Sequence, residues 1–393
     1  MQKEGQKEKI IGIAILVVVV ISVIGIKLYM DSKDDKNLTT IYGAVGGGKE
    51  DFLADEDFNK ILKDKYKIKF VGDSWGNGST IRLPLVRETV KPELAKVAES
   101  EYSIKNSQCN KYDLLFTSDE RYLSYYRTNP KEGEADRYRV LKGSLTLNTP
   151  IVFYSWDTVV DALIKEKIVE EKDGIYYMTD TLKMINYMLQ GKTWKDIGLD
   201  LFGKISVVSV DPVQSSPGAT YYGLLLTILT NGSEKQEDIE KALPTLRKIY
   251  QDIGYLGITP ADNFENFSKI GKNTYPIIVD YEKSLMEFKN RDEDGFNQIK
   301  DSLRIIYTIP TVTNSHCIAT FTENGNKFLD AFNDKDIQKI AWSKYGFRAG
   351  ATGGSTKVED TGIKGIPSEL PTGAKGLQMD TYNRLIEYLK EGV

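Results

Sequence analysis

The residues from Gly43 to Lys49 have the spacing of a phosphate-binding loop. They read GAVGGGK, which matches the GxxxxGK pattern whose backbone N–H groups surround a nucleotide phosphate. The next residue is Glu50, where that motif needs a Ser or Thr hydroxyl for magnesium, and a carboxylate there would repel phosphates. The pattern therefore argues against an NTPase. It predicts a glycine turn whose N–H groups, at the start of a helix, can hold an anion or a polar ligand.

The single histidine, His316, stands beside Cys317 and suggests a nucleophile with its base. Adjacent residues of an extended segment point to opposite faces, so these two cannot act as that pair. The sequence also lacks GxSxG and HExxH motifs. We therefore expect no enzymatic activity and interpret His316 as a core or crossing residue. A disulfide between Cys109 and Cys317 stays open, because sequence spacing does not give distance.

The composition excludes several classes of protein. The chain has 393 residues, with 52 Lys and Arg against 56 Asp and Glu, and a formal charge of -4. This balance lacks the basic surface that nucleic-acid binding needs. One histidine and two distant cysteines exclude His-rich and CxxC metal sites, and we expect no cofactor. The length and the 40% hydrophobic content predict roughly two to three domains with real cores.

An apolar run near the N-terminus predicts a membrane anchor. Residues 10–30 are long enough as a helix to cross the apolar layer of a bilayer, about 30 Å, and they follow a short tail, residues 1–9. Neither a small-residue cleavage site nor a cysteine follows the run, which favours an uncleaved helix; the alternative is a buried core helix. Lysines are balanced on both sides, so the orientation does not follow from charge. Residues 31–40 are polar and predict a tether.

The elements that would position the glycine turn alternate between strand and helix. Thr39 to Val45 predicts a strand, Asp51 to Lys65 an amphipathic helix, and Tyr66 to Val71 a second strand. A helix near 92–101 and a short strand at Tyr112 to Phe116 follow. This order predicts an α/β fold with a mostly parallel, doubly wound sheet.

The same alternation continues through the middle of the chain. LTLNTPIVFYSW contains Pro150, which confines the segment to a sheet edge or a crossing, and a helix follows near Asp157. Further strands are predicted at Ile205 to Val210, Tyr275 to Asp280 and Leu303 to Ile309. TVTNSHCIATF then forms a second extended crossing.

These segments, in this order, resemble the bacterial extracellular solute-binding proteins of the type II periplasmic-binding-protein fold. The residues that carry the resemblance are the GGG turn, NKYDLLFTSDERYLSYYR, LNTPIVFYSW, DPVQSSPGATYYGLLL, PIIVDYEKSLMEF, IYTIPTVTNSHCIA and FLDAFNDKDIQKIAWSKYGFRAG. They cover roughly Leu38 to Gly350 and are most similar to the family-1 and molybdate–sulfate branch.

The resemblance implies two α/β lobes joined by two extended crossings, with the ligand between them. Lobe one would comprise residues 40–148 plus 315–393, and lobe two residues 149–314. The pattern of LQMDTYNRLIEYLKEGV predicts an amphipathic C-terminal helix that packs back on lobe one, and the alternative is a helix that binds a partner. The family implies a membrane-anchored, extracytoplasmic solute-binding protein that works with an ABC-type permease and its ATPase.

Ligands of open α/β sheets collect beyond the carboxyl ends of strands, and the loops at those ends supply the predicted site. The resemblance to oxyanion binders implies a role for hydroxyl groups in these loops. The predicted ligand-binding residues are Gly46, Gly47, Ser79, Thr80, Ser118, Ser215, Ser216 and Tyr281.

The ligand class stays open between an oxyanion and a sugar. Asp211, Asp280 and Glu282 lie near the predicted cleft and oppose an anion, although Asp211 can instead cap its turn. Aromatic residues near the cleft could stack on a sugar ring or pack in the core, namely Trp75, Tyr154, Trp156 and Tyr222. The alternative function is a tethered sensory or accessory ectodomain that binds a ligand or a protein partner with the same fold.

Overall fold

The structure is a computed structural model that describes residues 37–75, 112–121, 140–253, 260–350 and 357–391. The predicted anchor, the helix near 92–101, Ser79, Thr80 and Cys109 lie outside these residues. Within the described ranges, none of the helices is long and apolar enough to cross a membrane. The strands are β1 (Thr39–Gly46), β2 (Ile68–Trp75), β3 (Leu114–Phe116), β4 (Lys142–Trp156), β5 (Val169–Lys172), β6 (Ile175–Met178), β7 (Ile277–Tyr281), β8 (Leu303–Thr308), β9 (Thr313–Thr320) and β10 (Arg348–Ala349).

Helices separate most of these strands, as the alternating sequence pattern predicts. They are α1 (Glu50–Ala54), α2 (Glu56–Tyr66), α3 (Asp157–Lys165), α4 (Thr181–Leu189), α5 (Ser216–Leu229), α6 (Gln236–Ile253), α7 (Pro260–Ile270), α8 (Lys283–Arg291), α9 (Glu293–Ile299), α10 (Glu323–Ala331), α11 (Lys335–Ser343) and α12 (Met379–Lys390). The helix predicted at Asp51 to Lys65 is divided at Asp55, because the Asp55 carboxylate accepts a hydrogen bond from the backbone N–H of Phe58 and caps α2.

The described strands form two sheets that share β4. The first sheet has the order β2-β1-β3-β9-β4, with β10 also on β4. In it, residues 142–150 of β4 pair with β9. The second sheet contains residues 151–156 of β4, paired with β7 and β8, and continues through β6 to β5. Pro150 lies where β4 changes partners, which suits a residue that has no N–H to donate.

The prediction of a mostly parallel sheet is wrong. Strands β1 and β2, β1 and β3, and β6 and β8 are parallel pairs. Strand β4, however, is antiparallel to β7, β8, β9 and β10, and β9 is also antiparallel to β3. The fold is therefore mixed α/β. The reason is that β4 and β9 are long extended segments that run in opposite directions between the two sheets.

The segment from Ile205 to Val210 is buried but is not a strand of the described structure. Ile205, Val207 and Val210 are buried, as a strand at the centre of a sheet would be. Among the described residues, its contact with a named strand is a parallel bridge between Val208 and Ile278 of β7. The apolar pattern correctly predicts the burial, whereas the hydrogen-bonding partners decide the secondary structure.

Each sheet has its own apolar core. The smaller core fills the space between β1, β3 and helices α1, α2, α10 and α11, and includes Phe58, Phe116 and Phe332. The larger core surrounds the second sheet and includes Phe153, Ile278 and Leu225. We call the residues around the first sheet the first body and those around the second sheet the second body. Strand β4 contributes to both cores, with Leu147 in the smaller and Ile151 in the larger.

The C-terminal helix packs against the second body, which corrects the prediction that it packs on lobe one. Leu385 and Leu389 of α12 belong to the larger core. Arg384 forms a two-pronged ion pair with Glu240 of α6, at 2.6 and 2.8 Å. Ile363 of the preceding segment is also buried in that core. The amphipathic pattern of α12 predicts an apolar face and cannot predict which apolar surface covers it.

Candidate functional site

The glycine turn after β1 is closed by a side chain of its own helix. Glu50 Oε2 accepts hydrogen bonds from the backbone N–H groups of Gly48, at 2.6 Å, and Lys49, at 2.8 Å. Gly48 has a φ of +80°, which favours glycine. The N–H groups that we expected to hold an anion are therefore occupied by the Glu50 carboxylate. This arrangement also leaves no phosphate cradle at Gly48 and Lys49, against the NTPase interpretation.

The Lys49 side chain extends from this turn into a buried cluster of polar atoms. The side chain is 1% exposed. Lys49 Nζ donates to Ser118 Oγ at 2.8 Å, lies 3.2 Å from His316 Nδ1, and reaches the Gly47 carbonyl at 3.5 Å. The Ser118 hydroxyl in turn donates to the Gly47 carbonyl at 3.2 Å. Of the predicted site residues, Gly47 and Ser118 are thus brought into direct contact.

Asn314 connects this group to the second sheet. Asn314 Nδ2 donates to the Tyr281 hydroxyl at 2.8 Å and to the Ser118 carbonyl at 3.4 Å. Asn314 Oδ1 accepts a hydrogen bond of 2.8 Å from the hydroxyl of Thr220, on α5. We call Gly47, Ser118, Asn314, Tyr281 and Thr220 the junction cluster. It joins a loop of the first sheet, the start of β9, the end of β7 and a helix of the second body.

Ser215 and Ser216 begin α5, the helix that carries Thr220. Ser215 is the N-cap residue of α5, yet its side chain makes no capping hydrogen bond, and Ser216 is half-buried. The turn before them is instead organised by Asp211, which accepts hydrogen bonds from the Val213 N–H and the Tyr250 hydroxyl. Asp211 therefore has the capping role that the sequence allowed. Gly46, the remaining described candidate, ends β1 opposite Trp75 of β2.

Sequence reasoning missed Asn314, Thr220 and Lys49. Asn314 lies in the predicted crossing TVTNSHC, where an amide among small hydroxyl residues resembles an ordinary strand. Thr220 follows the serine loop by one helical turn and faces the junction rather than the core. The glycine-lysine pair at the end of the GxxxxGK pattern pointed to Lys49, but we set it aside together with the hypothesis of nucleotide binding.

Burial changes the protonation of the cluster and its neighbours. Burial lowers the pKa of Lys49 to about 7, the nearby Glu50 opposes this shift, and Lys283 adds to it. Burial also lowers the pKa of His316 well below its usual value, so the imidazole is neutral. The pKa of Tyr281 is raised by burial, which keeps its hydroxyl protonated.

The carboxylates near the junction cluster oppose an anion less than the sequence suggested. Asp280 is fully buried, and burial raises its pKa to about 7, so the carboxyl is partly neutral at neutral pH. Asp119 accepts two hydrogen bonds of 2.9 Å from Arg121 Nε. The Arg121 guanidinium also stacks 3.7 Å from the centre of the Tyr382 ring on α12. This contact joins the Ser118 loop to the second body.

Glu282, the third of these carboxylates, is neutralised by a buried arginine. Arg348 Nε and Nη2 donate to its two carboxylate oxygens at 2.7 and 2.8 Å. The side chains of Glu282 and Arg348 are 0% and 7% exposed. Tyr307 adds a hydrogen bond of 2.5 Å to the same carboxylate. Glu282 follows β7 and Arg348 is in β10, so the pair connects the two bodies.

The aromatic candidates pack in the cores. The Tyr154 hydroxyl donates to the carbonyls of Tyr281 and Glu282. Trp156 stacks on Phe267 with ring centres 4.6 Å apart, and Tyr222 packs edge-on against Tyr250 at 5.8 Å. Trp75 ends β2, and the structure does not describe its side chain. The described aromatic candidates therefore support the structure around Tyr281 and do not form a stacking platform.

Two further features bear on what the described residues can bind. A cavity of about 440 Å³ lies between the start of β4 and the end of α10. Its lining includes Lys142, Ser144 and Asp330 but none of the predicted site residues. Across the parts of the chain that the structure describes, His, Cys, Asp and Glu side chains form no cluster suited to a metal ion. Cys317 is a free, buried thiol.

The architecture is that of the type II periplasmic-binding proteins. No protein-family model and no curated protein sequence matches the chain. Solved structures match over nearly the whole fold. A Trichodesmium protein, IdiA or FutA, in complex with iron and citrate has 10% identity and a TM-score of 0.52; the match covers 90% of this chain and 99% of that chain.

Two other solved structures give the same result. The Pasteurella haemolytica apo ferric ion-binding protein A has 10% identity and a TM-score of 0.53, over 90% of this chain and 97% of that chain. The substrate-binding protein of an ABC transporter from Agrobacterium tumefaciens has 13% identity and a TM-score of 0.51, over 91% and 94%. At identities this low, the structural similarity defines the fold but does not identify the ligand.

Proposed function

We propose that this protein is a membrane-anchored, extracytoplasmic solute-binding protein that captures a small polar ligand between two lobes. The observation that carries the proposal is the junction cluster. Its hydrogen bonds run from Gly47 and Ser118 through Asn314 to Tyr281 and Thr220. They lie where β4 and β9 join the two sheets, at strand ends where ligands of α/β proteins collect.

The two lobes of the proposal follow the two sheets. Lobe one comprises residues 40–148 with 315–350, and lobe two comprises residues 149–314. We attach α12 to lobe two because it packs mainly on α5 and α6. The crossings are the middle of β4 and the start of β9. In the present conformation Ser118, Asn314, Tyr281 and Thr220 are all less than 9% exposed, so ligand entry requires the lobes to separate.

The ligand is held by hydroxyl and amide groups. We propose Gly46, Gly47, Ser118, Ser215, Ser216 and Tyr281 as its contacts, with Ser79 or Thr80, and add Asn314 and Thr220. Hydrogen-bond donors of this kind suit an oxyanion or a sugar-like molecule, because several aimed donors offset the cost of removing the ligand from water. The chemistry is binding and hinge motion, without a covalent step.

The membrane anchor and the partner complete the proposal. The apolar residues 10–30 would hold the folded lobes outside the cytoplasm, through the polar tether 31–40. A receptor so anchored would deliver its ligand to an ABC-type permease. The fold shared with the substrate-binding protein of an ABC transporter from Agrobacterium tumefaciens supports this partner.

Thermal unfolding of the full chain in detergent tests the proposal against a panel of oxyanions, sugars, polyols, amino acids and divalent metals. A ligand that binds only the folded state adds about 2.7 kcal/mol of stability at a hundredfold excess over Kd. We expect one polar class to raise the melting temperature by several degrees, and Tyr281→Phe to reduce that shift. Tyr66→Phe, which removes a hydroxyl bound to Asp334 on lobe one, is the matched control. A panel without any shift would contradict the proposal and favour the accessory ectodomain.

A further inference from the structure

The ammonium group of Lys49 is buried without an opposite charge in contact. Its three close partners, Ser118 Oγ, His316 Nδ1 and the Gly47 carbonyl, are all neutral. No carboxylate in the described part of the chain lies within ion-pair distance of Nζ, and the Phe116 ring is 5.1 Å away. A buried charge normally has a charged partner, because removing an ion from water is costly. The partner of Lys49 is therefore missing from the described protein.

The other charged and titratable groups around Lys49 do not fill this role. From α1, the Glu50 carboxylate is bound to backbone N–H groups. From α8, Lys283 adds positive charge and pairs with Glu287. From β9, the Cys317 thiol stays protonated because burial raises its pKa. Around Lys49 the carboxylates of Glu50 and Glu287 thus match the two lysines in number, but neither carboxylate contacts Lys49 Nζ.

His316 supplies a second, independent sign of a missing partner. It is 1% exposed, and its Nε2 atom has no hydrogen-bond partner. When Lys49 is charged, Nδ1 accepts from its ammonium group, and Nε2 then carries the proton. A buried N–H without an acceptor is costly and rare. It marks a region where an acceptor is lacking.

The hydroxyls on either side of Lys49 also have protons to donate. The Tyr281 hydroxyl accepts from Asn314, which leaves its own proton for an acceptor. The Ser118 hydroxyl accepts from Lys49, so its proton can turn from the Gly47 carbonyl to a ligand. The nearest carboxylate of this loop, Asp119, is neutralised by Arg121. The junction is therefore rich in hydrogen-bond donors and holds a lysine whose ammonium group no carboxylate of the described residues contacts.

We propose that the ligand carries a negatively charged group, a carboxylate or an oxyanion, that contacts Ser118 and whose charge is balanced by Lys49. This inference rests on the proposed function and narrows its ligand class. Lys49 is a positioning residue that acts through the Ser118 hydroxyl. An anion at Ser118 favours the charged ammonium, so binding takes up a proton whenever Lys49 is neutral beforehand.

Isothermal titration of the full chain in detergent measures this uptake directly. Sulfate, phosphate, molybdate and citrate are the anionic probes and glucose is the neutral one, each titrated in two buffers of different ionisation enthalpy. The pKa of Lys49 in the protein without ligand is about 7. We therefore expect the protein to take up more protons on binding the anion at pH 8 than at pH 6. His316 contributes little, since its pKa is well below 6.5.

Variants separate the charge of Lys49 from its packing. We expect Lys49→Met to weaken anion binding ~10- to 100-fold and to abolish the proton uptake, because the variant removes the ammonium group that balances the anion and its hydrogen bond to Ser118. Lys49→Arg keeps the charge and should restore much of the affinity. Lys344→Met removes a lysine that is 41% exposed on lobe one and is the matched control.

The outcomes distinguish the inference from the proposed function. Binding of glucose alone, or anion binding with equal proton uptake at both pH values, would overturn the role of Lys49 and leave a solute-binding protein. If Lys49→Met fails to fold, the proton uptake of the unaltered chain still decides. The absence of binding by every probe and every solute of the thermal panel would overturn both.

Discussion

Asp280 is a buried carboxyl group whose environment favours its neutral form. Its Oδ1 atom accepts hydrogen bonds from the Tyr281 N–H at 2.7 Å and the Ser284 hydroxyl at 3.0 Å, but Oδ2 is buried without a partner. Burial is the largest cause that raises its pKa from 3.8 to about 7. The carboxyl therefore holds its proton in the folded state over a pH range in which the unfolded chain has lost it.

This difference predicts a fall in stability as the pH rises. Between pH 4 and pH 7 the folded protein binds more protons at Asp280 than the unfolded chain, so its free energy of unfolding decreases with pH. We expect Asp280→Asn to remove this decrease, which amounts to on the order of a few kcal/mol over the window. Urea unfolding at a series of pH values measures it. Asp200→Asn, at a side chain that is 97% exposed, is the control. Parallel pH profiles for Asp280→Asn and the unaltered chain would refute the prediction.

The sequence predicts part of the site at this scale. Ser118 follows the buried strand β3 and Tyr281 ends the buried strand β7, and the structure places both at the junction. Their contact with a ligand stays a prediction. The role of Glu50 does not follow from sequence, because the pattern cannot tell whether a carboxylate beside a glycine turn faces solvent or folds back on its own N–H groups. The burial of Lys49 is likewise decided by β3 and β9, which are distant in sequence.

At the scale of elements, the ion pair of Glu282 and Arg348 joins β10 of the first sheet to the turn between β7 and α8. The Arg348 guanidinium also donates to the carbonyl of Pro367 at 2.8 Å. Arg348 therefore also contacts the segment that leads to α12. The pair lies beside Pro150, whose carbonyl accepts the backbone N–H of Glu282. It therefore sits at the crossing about which the two bodies would move.

Breaking this pair should be costly because each partner would leave a buried charge. We expect Arg348→Met or Glu282→Gln alone to lower the free energy of unfolding by about 3–5 kcal/mol, and the double variant to cost less than the sum. Urea unfolding of the four proteins of this cycle measures the coupling. The pair of Arg384 and Glu240 has the same two-pronged geometry but is 37% and 39% exposed, and Arg384→Met should cost about 0–1 kcal/mol. Equal effects at the two sites would be incompatible with this account.

The boundaries of strands and helices follow from local sequence patterns, whereas the elements with which they pair or pack do not. Period-two alternation and β-branched residues predict β1 and an extended segment at β4. Pro150 predicts a sheet edge or a crossing, and the structure shows that β4 changes partners there. The same local reasoning assigns a strand to Ile205 to Val210, where only one bridge to β7 forms. It also places α12 on the wrong body. An apolar stripe fixes that a helix must be buried, and tertiary packing selects the surface.

At the scale of the whole molecule, the order of strands, turns and helices predicts the fold better than any residue identity does. The sequence resemblance and the structural similarity agree on a type II periplasmic-binding-protein architecture at identities of 10% to 13%. This is expected, because many sequences satisfy the same pattern of buried and exposed positions. The ligand depends on a few polar groups at the junction, and the fold alone does not define them.

If the two lobes close on a small solute, the distance between them must shorten when the solute binds. Spin labels at the exposed positions Lys60 of α2 and Lys172 of β5, each changed to cysteine in a Cys109→Ser chain, report that distance by double electron–electron resonance. We predict that at least one anion among sulfate, phosphate, molybdate and citrate shortens and narrows the distribution, and that Lys49→Met reduces this effect. A distribution that stays unchanged with every solute of the panel would contradict the account.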